Sequence, residues 1–180
     1  MRKIRVAING LGRIGRTFLK IAIERPELEV VVVNDLGDLE NLAYLLRYDS
    51  AYGRYDHPVT TKERMLVVNG REIRVCQEKE PLHLPWHDFR IDVVVEATGF
   101  FTSYEKARAH LDAGSRKVVV SAPVKGDPVP GVVGATVLMG INDAVLATCQ
   151  ISSNASCTTN SASPVIQILL ETIGIEKAIL

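Results

Sequence analysis

Short runs in which every position is apolar alternate along this chain with longer stretches that have helical spacing. Lys3–Ile8 is an apolar, β-branched run that reads as a buried strand. Arg13–Ile23 then has helical spacing, with Ile14, Phe18, Ile21 and Ala22 on one side, and Pro26 ends it. Val30–Val33 is apolar throughout, as expected of a parallel strand covered on both faces. Asp38–Tyr48 is helical in pattern, and Leu39, Leu42, Ala43, Leu45 and Leu46 make a broad apolar stripe.

The middle of the chain changes period. Ala51–Thr61 is turn-rich and resists assignment. Met65–Val68 and Glu72–Cys76 flank Asn69-Gly70, a pair that tolerates positive φ at both positions and so predicts a hairpin, an antiparallel ribbon inserted into the alternation. Asp92–Glu96 reads as another buried strand. Thr102 with Glu105 predicts a capping box for a helix running to Ala113, which Gly114 stops. Lys117–Ser121 and Val137–Ile141 are further predicted strands, separated by a Pro/Gly-rich loop from Pro123 to Gly134. This order predicts an α/β fold, a doubly wound parallel sheet that binds its ligand at the carboxyl ends of the strands. No internal repeat or low-complexity tract interrupts it.

Composition narrows the function classes. With 180 residues, 47% of them hydrophobic, the chain can bury one well-cored domain and the start of another. Basic and acidic residues balance at 21 each and no basic stripe stands out, so nucleic-acid binding has no electrostatic support. The apolar stretches fall far short of the ~20 residues that span a bilayer. The N-terminus enters a strand pattern directly, without the features of a signal peptide. Cys76, Cys149 and Cys157 are widely separated, show no metal-ligand spacing, and as an odd set favour free thiols in a reducing compartment. The expectation is a cytoplasmic protein that holds no metal.

Gly10, Gly12 and Gly15 fit G-x-G-x-x-G, placed after a strand and opening a helix. The first glycine permits the tight turn, the second lets backbone approach a pyrophosphate, and the third allows close helix–strand packing. Free N–H groups at the helix start can bind phosphate oxygens. Asp35, just past Val30–Val33, can bond a ribose 2′-hydroxyl, and its charge opposes a 2′-phosphate, so NAD is favoured over NADP. Against this, Asp35 or Asp38 could simply cap the following helix. The motif predicts a Rossmann-like domain.

Ser153-Asn154-Ala155-Ser156-Cys157-Thr158-Thr159-Asn160 leads into a second candidate site. Pro164 fits near a helix start, which places Cys157 at or just before the first turn. Unpaired N–H groups and the positive dipole end there favour a thiolate and can stabilise an oxyanion at an attacked carbonyl. The hydroxyls of Ser156 and Thr158 are natural donors to a substrate phosphate. A buried, inert cysteine is the plainer alternative, argued against by the polar surroundings. Cys76 and Cys149, in strand-like apolar contexts, read as small buried hydrophobes. His57, His83, His87 and His110 have no spacing that recommends one as the thiol's base, and all read as surface or packing residues.

These motifs, in this order, resemble glyceraldehyde-3-phosphate dehydrogenases. The resemblance is carried by Ala7–Arg16, Asn34-Asp35-Leu36, Leu46–Ser50, Leu84-Pro85-Trp86, Glu96–Gly99, Ser121-Ala122-Pro123 and, most specifically, Ser153–Asn160. It implies NAD-dependent oxidation of glyceraldehyde 3-phosphate with inorganic phosphate to 1,3-bisphosphoglycerate, in a homotetramer. Cys157 would be the nucleophile, with Ser156 and Thr158 bordering the substrate. Arg13, Ile14, Asp35 and Ser121 would contact NAD, with Asn9, Gly10, Gly12, Thr98 and Gly99 close by. Lys79 stands where the family often has arginine near the adenine, and Ser161 where it commonly has a second cysteine. Erythrose-4-phosphate dehydrogenases share the Ser-Cys-Thr-Thr-Asn core, although Ser121-Ala122-Pro123 looks more like the triose enzyme.

By this resemblance the family's catalytic histidine belongs a few residues after Gly174-Ile175-Glu176-Lys177, beyond this sequence. Residues 1–155 would be the NAD-binding domain, and 156–180 the truncated start of a second, α+β catalytic domain, with Ile175–Leu180 beginning its sheet. Alone, the chain would then be a nucleotide-binding module without turnover. Val165–Leu170 and Ile175–Leu180 would expose apolar surface and favour self-association.

Overall fold

The computed structural model describes residues 2–179. Its first half alternates as the apolar runs predict, with β1 (Ile4–Asn9), α1 (Arg13–Ile23), β2 (Leu28–Asn34) and α2 (Leu39–Arg47). Two short strands, β3 (Tyr48–Asp49) and β4 (Gly53–Arg54), pair with each other in the turn-rich segment. The ribbon has three strands, β5 (Val59–Lys62), β6 (Met65–Val68) and β7 (Arg71–Cys76). Then come β8 (Val93–Glu96), α3 (Tyr104–Asp112), β9 (Lys117–Val120), β10 (Gly134–Thr136), β11 (Ile151–Ser153) and α4 (Cys157–Thr172).

Nine of these strands form one sheet, in the order β10-β11-β9-β8-β1-β2-β7-β6-β5. From β10 to β7 every pairing is parallel, and only the β5–β6 and β6–β7 pairings are antiparallel. The ribbon is therefore an extension of the sheet rather than a separate insertion, because β7 lies parallel beside β2. Asn69 and Gly70 adopt the positive φ angles their turn requires. Helices cover both faces. Leu19, Ala22 and Ile23 of α1, with Leu42, Ala43 and Leu46 of α2, pack over Val6, Ile8 and Val33 on one face. On the other, Trp86, Ile91 and Leu84 pack over Ala7, Val32 and Val94, while α3 lays Tyr104 and Ala107 on Val118 and Val120. The doubly wound α/β expectation is met.

Several local expectations are corrected. In α1 the residues expected on one buried side divide: Ala22 is buried, but Ile14 and Ile21 are 58% and 54% exposed. The stripe that turns inward is Gly15, Leu19, Ala22 and Ile23. Gly15 decides the rotation, since a Cβ built on it would stand 1.9 Å from the Gly10 carbonyl oxygen, and only a hydrogen fits that approach. The cap of α3 is Ser103 rather than Thr102. The Ser103 hydroxyl accepts the Lys106 N–H at 3.2 Å, while the Thr102 carbonyl accepts from Lys125. Gly114 follows that helix with φ +106°.

Val137–Ile141 is not a strand. The Asn142 side chain accepts the Leu138 N–H at 2.7 Å and donates to the Thr136 carbonyl at 3.0 Å, so a turn displaces the ladder and the strand falls on Gly134–Thr136. Cys149 is buried as expected but precedes β11 in a turn, its N–H donating to Val145. Pro164 lies inside α4 rather than near its start. It cannot donate to the Asn160 carbonyl, and the helix tolerates that single lost bond. Residues 175–179 form no strand, and Leu180 lies outside the described residues. No residue of α4 is buried, and Val165, Ile168 and Leu170 all stand exposed.

The Gly15 approach generates a test. Glycine to alanine inside a helix ordinarily gains about 1 kcal/mol. Here the added methyl overlaps the Gly10 carbonyl, so Gly15→Ala should lower unfolding stability by roughly 1–3 kcal/mol in urea denaturation. An unchanged or raised midpoint would mean that α1 does not pack on the glycine turn.

Candidate functional site

Parallel pairing lines up the carboxyl ends of the strands, and the first residue beyond each strand hydrogen-bonds back to its neighbour. The N–H of Asp35 donates to Cys76, that of Gly10 to Asn34, and that of Ala97 to Asn9. Ser121 N–H donates to Glu96, and Asn154 N–H to Val120. One row thus runs Asp35, Gly10, Ala97, Ser121, Asn154 along a single edge of the sheet. Motifs far apart in sequence become neighbours there.

A cleft of 530 Å³ opens on this edge. Asn9, Gly10 and Gly12 line it from the glycine turn, Asn34, Asp35 and Leu36 from the end of β2, and Glu78, Lys79 and Glu80 from the loop after β7. Ala97, Thr98, Phe100 and Phe101 close the other side. Gly10 has φ +94°, and a Cβ there would meet the Thr98 nitrogen at 2.9 Å, so glycine is required twice over. At Gly12 the space a Cβ would enter is open, which leaves bare backbone facing the cleft.

Asp35 does more than face the cleft. Its Oδ2 accepts the Leu11 N–H at 2.7 Å and its Oδ1 the Gly37 N–H at 2.8 Å. The Leu11 carbonyl accepts from the Arg16 guanidinium at 2.9 Å. Leu11 is therefore held at its amide, at its carbonyl and by its buried side chain, so the turn is braced by the chain itself. Capping α2 falls to Asp38, which accepts the Asn41 N–H at 3.0 Å, so Asp35 is not a cap. At the rim, the backbone N–H of Glu80 helps hold the Glu78 carboxyl below the usual glutamate range, leaving it ionised near Asp35.

Not every residue expected near the nucleotide lines this cleft. Arg13 and Ile14 sit on the first turn of α1, along a shallow groove shared with Thr17, Phe18, Ile21 and Tyr52. Gly99 bends the chain between Thr98 and Phe100 with φ +78°. Ser121 is half-buried further along the row. Conversely, Glu78, Glu80, Phe100 and Phe101 were not anticipated. Only the β2–β7 pairing brings the loop after β7 alongside Asp35, while the two phenylalanines follow directly on Thr98-Gly99, a local signal that could have found them.

The thiol lies on the same edge. Cys157 is the first residue of α4 and is exposed. Ser156 caps the helix by accepting the Thr159 N–H at 3.1 Å, and its hydroxyl lies 2.8 Å from that of Thr158. The Asn160 side chain donates to the carbonyls of Asn154 (2.7 Å) and Ser156 (3.0 Å), fastening the bend from below. Ala155 takes φ +56°, a costly left-handed geometry for alanine, which turns the chain sharply into the helix. The first-turn amides beside Cys157 have no acceptor within the helix. Three strand spacings, about 14 Å, separate β1 from β11, a span an extended dinucleotide can cross.

The remaining cysteines differ. Burial pushes the half-buried Cys76 thiol up from its ordinary range, and Cys149 is buried. His110 is wholly buried and hydrogen-bonded rather than on the surface, while His87 is exposed beside Asp88. Among the described residues no cluster of His, Cys, Asp or Glu has the makings of a metal site, and no helix is long and apolar enough to cross a membrane.

A parallel sheet wound on both faces, with a glycine turn, a following acid and a cleft at its carboxyl edge, defines a dinucleotide-binding protein of the Rossmann class. Residues 4–104 match the family profile described as glyceraldehyde 3-phosphate dehydrogenase, NAD binding domain, and the chain belongs to that family. The cofactor is accordingly NAD. Similar proteins include the glyceraldehyde-3-phosphate dehydrogenases of Kitasatospora aureofaciens, 50% identical over 96% of this chain and 51% of the relative, and of Clostridium acetobutylicum, 48% identical over 96% and 50%. The cytosolic enzyme of Trypanosoma brucei brucei is 43% identical over 98% and 52%. The chain thus spans about half the length of the curated relatives it matches.

Two measurements follow. Asp35→Ala should weaken NAD binding roughly tenfold or more and narrow the preference over NADP, because the Leu11 and Gly37 amides also lose their acceptor. Unchanged selectivity in calorimetric titration would remove Asp35 from the ribose site. Under limiting iodoacetamide, Cys157 should be alkylated first, Cys76 more slowly and Cys149 last. Equal labelling by peptide mass mapping would contradict the exposure order.

Proposed function

We propose that this chain carries the NAD site and the nucleophile of a phosphorylating glyceraldehyde-3-phosphate dehydrogenase. The single observation behind this reading is that an exposed thiol at a helix start shares one sheet edge with a dinucleotide cleft. Asn9, Gly10, Gly12, Asp35, Lys79, Thr98 and Gly99 would hold the cofactor's adenosine and pyrophosphate. Arg13, Ile14 and Ser121 would make the flanking contacts. When bound, NAD supplies the hydride acceptor.

The residues around Cys157 would take the following parts. The sulfur of Cys157 adds to the aldehyde carbon, and the first-turn amides of Cys157 and Thr158, which the Ser156 cap does not use, receive the oxyanion. The hydroxyls of Ser156 and Thr158 donate to phosphate oxygens. Once the hydride has left the substrate carbon, that carbon is bound to Cys157 as a thioester. Inorganic phosphate attacks it, the C–S bond breaks, and the acyl phosphate departs as the sulfur recovers its electron pair. Residues 1–155 form the nucleotide unit in this reading and 156–180 open a second, catalytic unit. A cytoplasmic homo-oligomer, a tetramer as the family resemblance implies, completes the proposal.

A second reading concerns the 180 residues alone. Among the described residues no basic side chain is hydrogen-bonded to Cys157, and α4 buries none of its apolar residues, so the isolated chain binds NAD without turnover. NADH formation from glyceraldehyde 3-phosphate, NAD and phosphate separates the two. A protein of the relatives' full length that carries this segment should be active, and Cys157→Ser should lower its rate roughly a thousandfold or more. The 180-residue chain should form no NADH. Retained activity in Cys157→Ser, or a preference for erythrose 4-phosphate, would overturn the assignment.

A further inference from the structure

Beneath the cleft lies a set of buried polar groups that neither the glycine turn nor the thiol explains. Glu96 ends β8, and both it and His110 of α3 are buried. The Trp86 indole N–H donates to His110 Nδ1 at 3.0 Å. An indole nitrogen only donates, so Nδ1 is the acceptor and the ring proton lies on Nε2. His110 Nε2 therefore donates to Glu96 Oε2 at 2.9 Å. The same oxygen accepts from the Asn9 side chain at 2.6 Å, and the other carboxyl oxygen accepts the N–H of Thr98 at 2.8 Å and the Thr98 hydroxyl. Asn9 in turn accepts from Asn34 at 2.7 Å. Asn9, Asn34 and Thr98 all line the cleft, as does Phe101, whose ring stands edge-on to His110 at 6.1 Å.

A carboxylate removed from water and held by four donors has one orientation, and whatever sets that orientation sets its partners. Three of those donors belong to the cleft residues Asn9 and Thr98, and the fourth is His110, whose tautomer is set by Trp86. We infer that Trp86, His110 and Glu96 form a positioning relay that holds Asn9 and Thr98 in the geometry that accepts NAD, and that cofactor occupancy is transmitted back along it to Trp86. This rests on the NAD reading of the cleft. It adds that affinity is controlled from residues that never touch the ligand.

Two variants separate positioning from simple support. In His110→Gln the amide nitrogen reaches the place of Nε2 and can still donate to Glu96. In His110→Asn the shorter side chain reaches only the place of Nδ1, so it can serve Trp86 but not Glu96. Calorimetric titration of the 180-residue chain with NAD should show His110→Asn weaker by roughly tenfold, the loss of one hydrogen bond to a charged group. His110→Gln should stay within about threefold of the unsubstituted chain. Leu66→Ala, in the ribbon core far from the cleft, serves as the control for lowered stability. It should bind NAD normally.

Equal affinity in both His110 variants, or losses that merely track thermal stability as in Leu66→Ala, would overturn the relay. Failure of the unsubstituted chain to bind NAD would instead remove the underlying reading. A second measurement needs no variant. The chain has one tryptophan, so its indole N–H proton resonance is unambiguous and should shift on saturation with NAD. A resonance that stays in place while NAD binds would also sink the proposal.

Discussion

The approach of Gly15 to the Gly10 carbonyl is the contact on which the rest of the site depends. A helix can lie this close to the turn that precedes it only where no Cβ intervenes. That approach rotates α1 so that Leu19, Ala22 and Ile23 enter the core and leaves Ile14 and Ile21 outside. It also seats the turn against the end of β1, where Asp35 takes the Leu11 amide and Arg16 its carbonyl. The acid proposed for the ribose is thus also a clamp on the loop proposed for the phosphates. Preorganisation of this kind lowers the ordering cost of binding.

The carboxyl edge extends the same logic across the sheet. The trailing amides after β2, β1, β8, β9 and β11 are each spent on the neighbouring strand, which satisfies those donors and fixes the strand ends side by side. Ser121 and Asn154 continue the row toward the Cys157 bend, where the left-handed Ala155, the Ser156 cap and the Asn160 bridges redirect the chain into α4. The thiol and the cleft are held in register by five parallel strands rather than by any contact between them.

Buried polarity has a distinct place in this arrangement. Most of the core is Val, Leu and Ile on both faces of the sheet, yet Asn9, Asn34, Glu96 and His110 sit within it. Groups so placed are costly unless fully bonded, and these are bonded to one another and to backbone. Their cost is offset by definition of shape, since an apolar substitute would pack without fixing where Asn9 and Thr98 point.

The alternation of elements, the Asn69-Gly70 hairpin, the glycine turn with Asp35, and Cys157 at a helix start were all legible in the sequence by itself. Each depends on local chemistry: apolar period, turn conformation, cap and spacing. Tertiary structure decided what local pattern leaves degenerate. Two apolar stripes compete on α1 and only the Gly15 approach chooses between them. Thr102 with Glu105 has the spacing of a cap for α3, but the Ser103 hydroxyl takes the Lys106 N–H instead. The Asn142 turn withdrew Val137–Ile141 from the sheet. Glu78 joined Asp35 only because β2 and β7, distant in sequence, lie side by side. His110 looked like packing because nothing near it in the chain shows that Trp86 and Glu96 converge on its ring. A hydrogen-bond partner far along the chain leaves no periodic trace, so such pairings exist only once the sheet has been assembled.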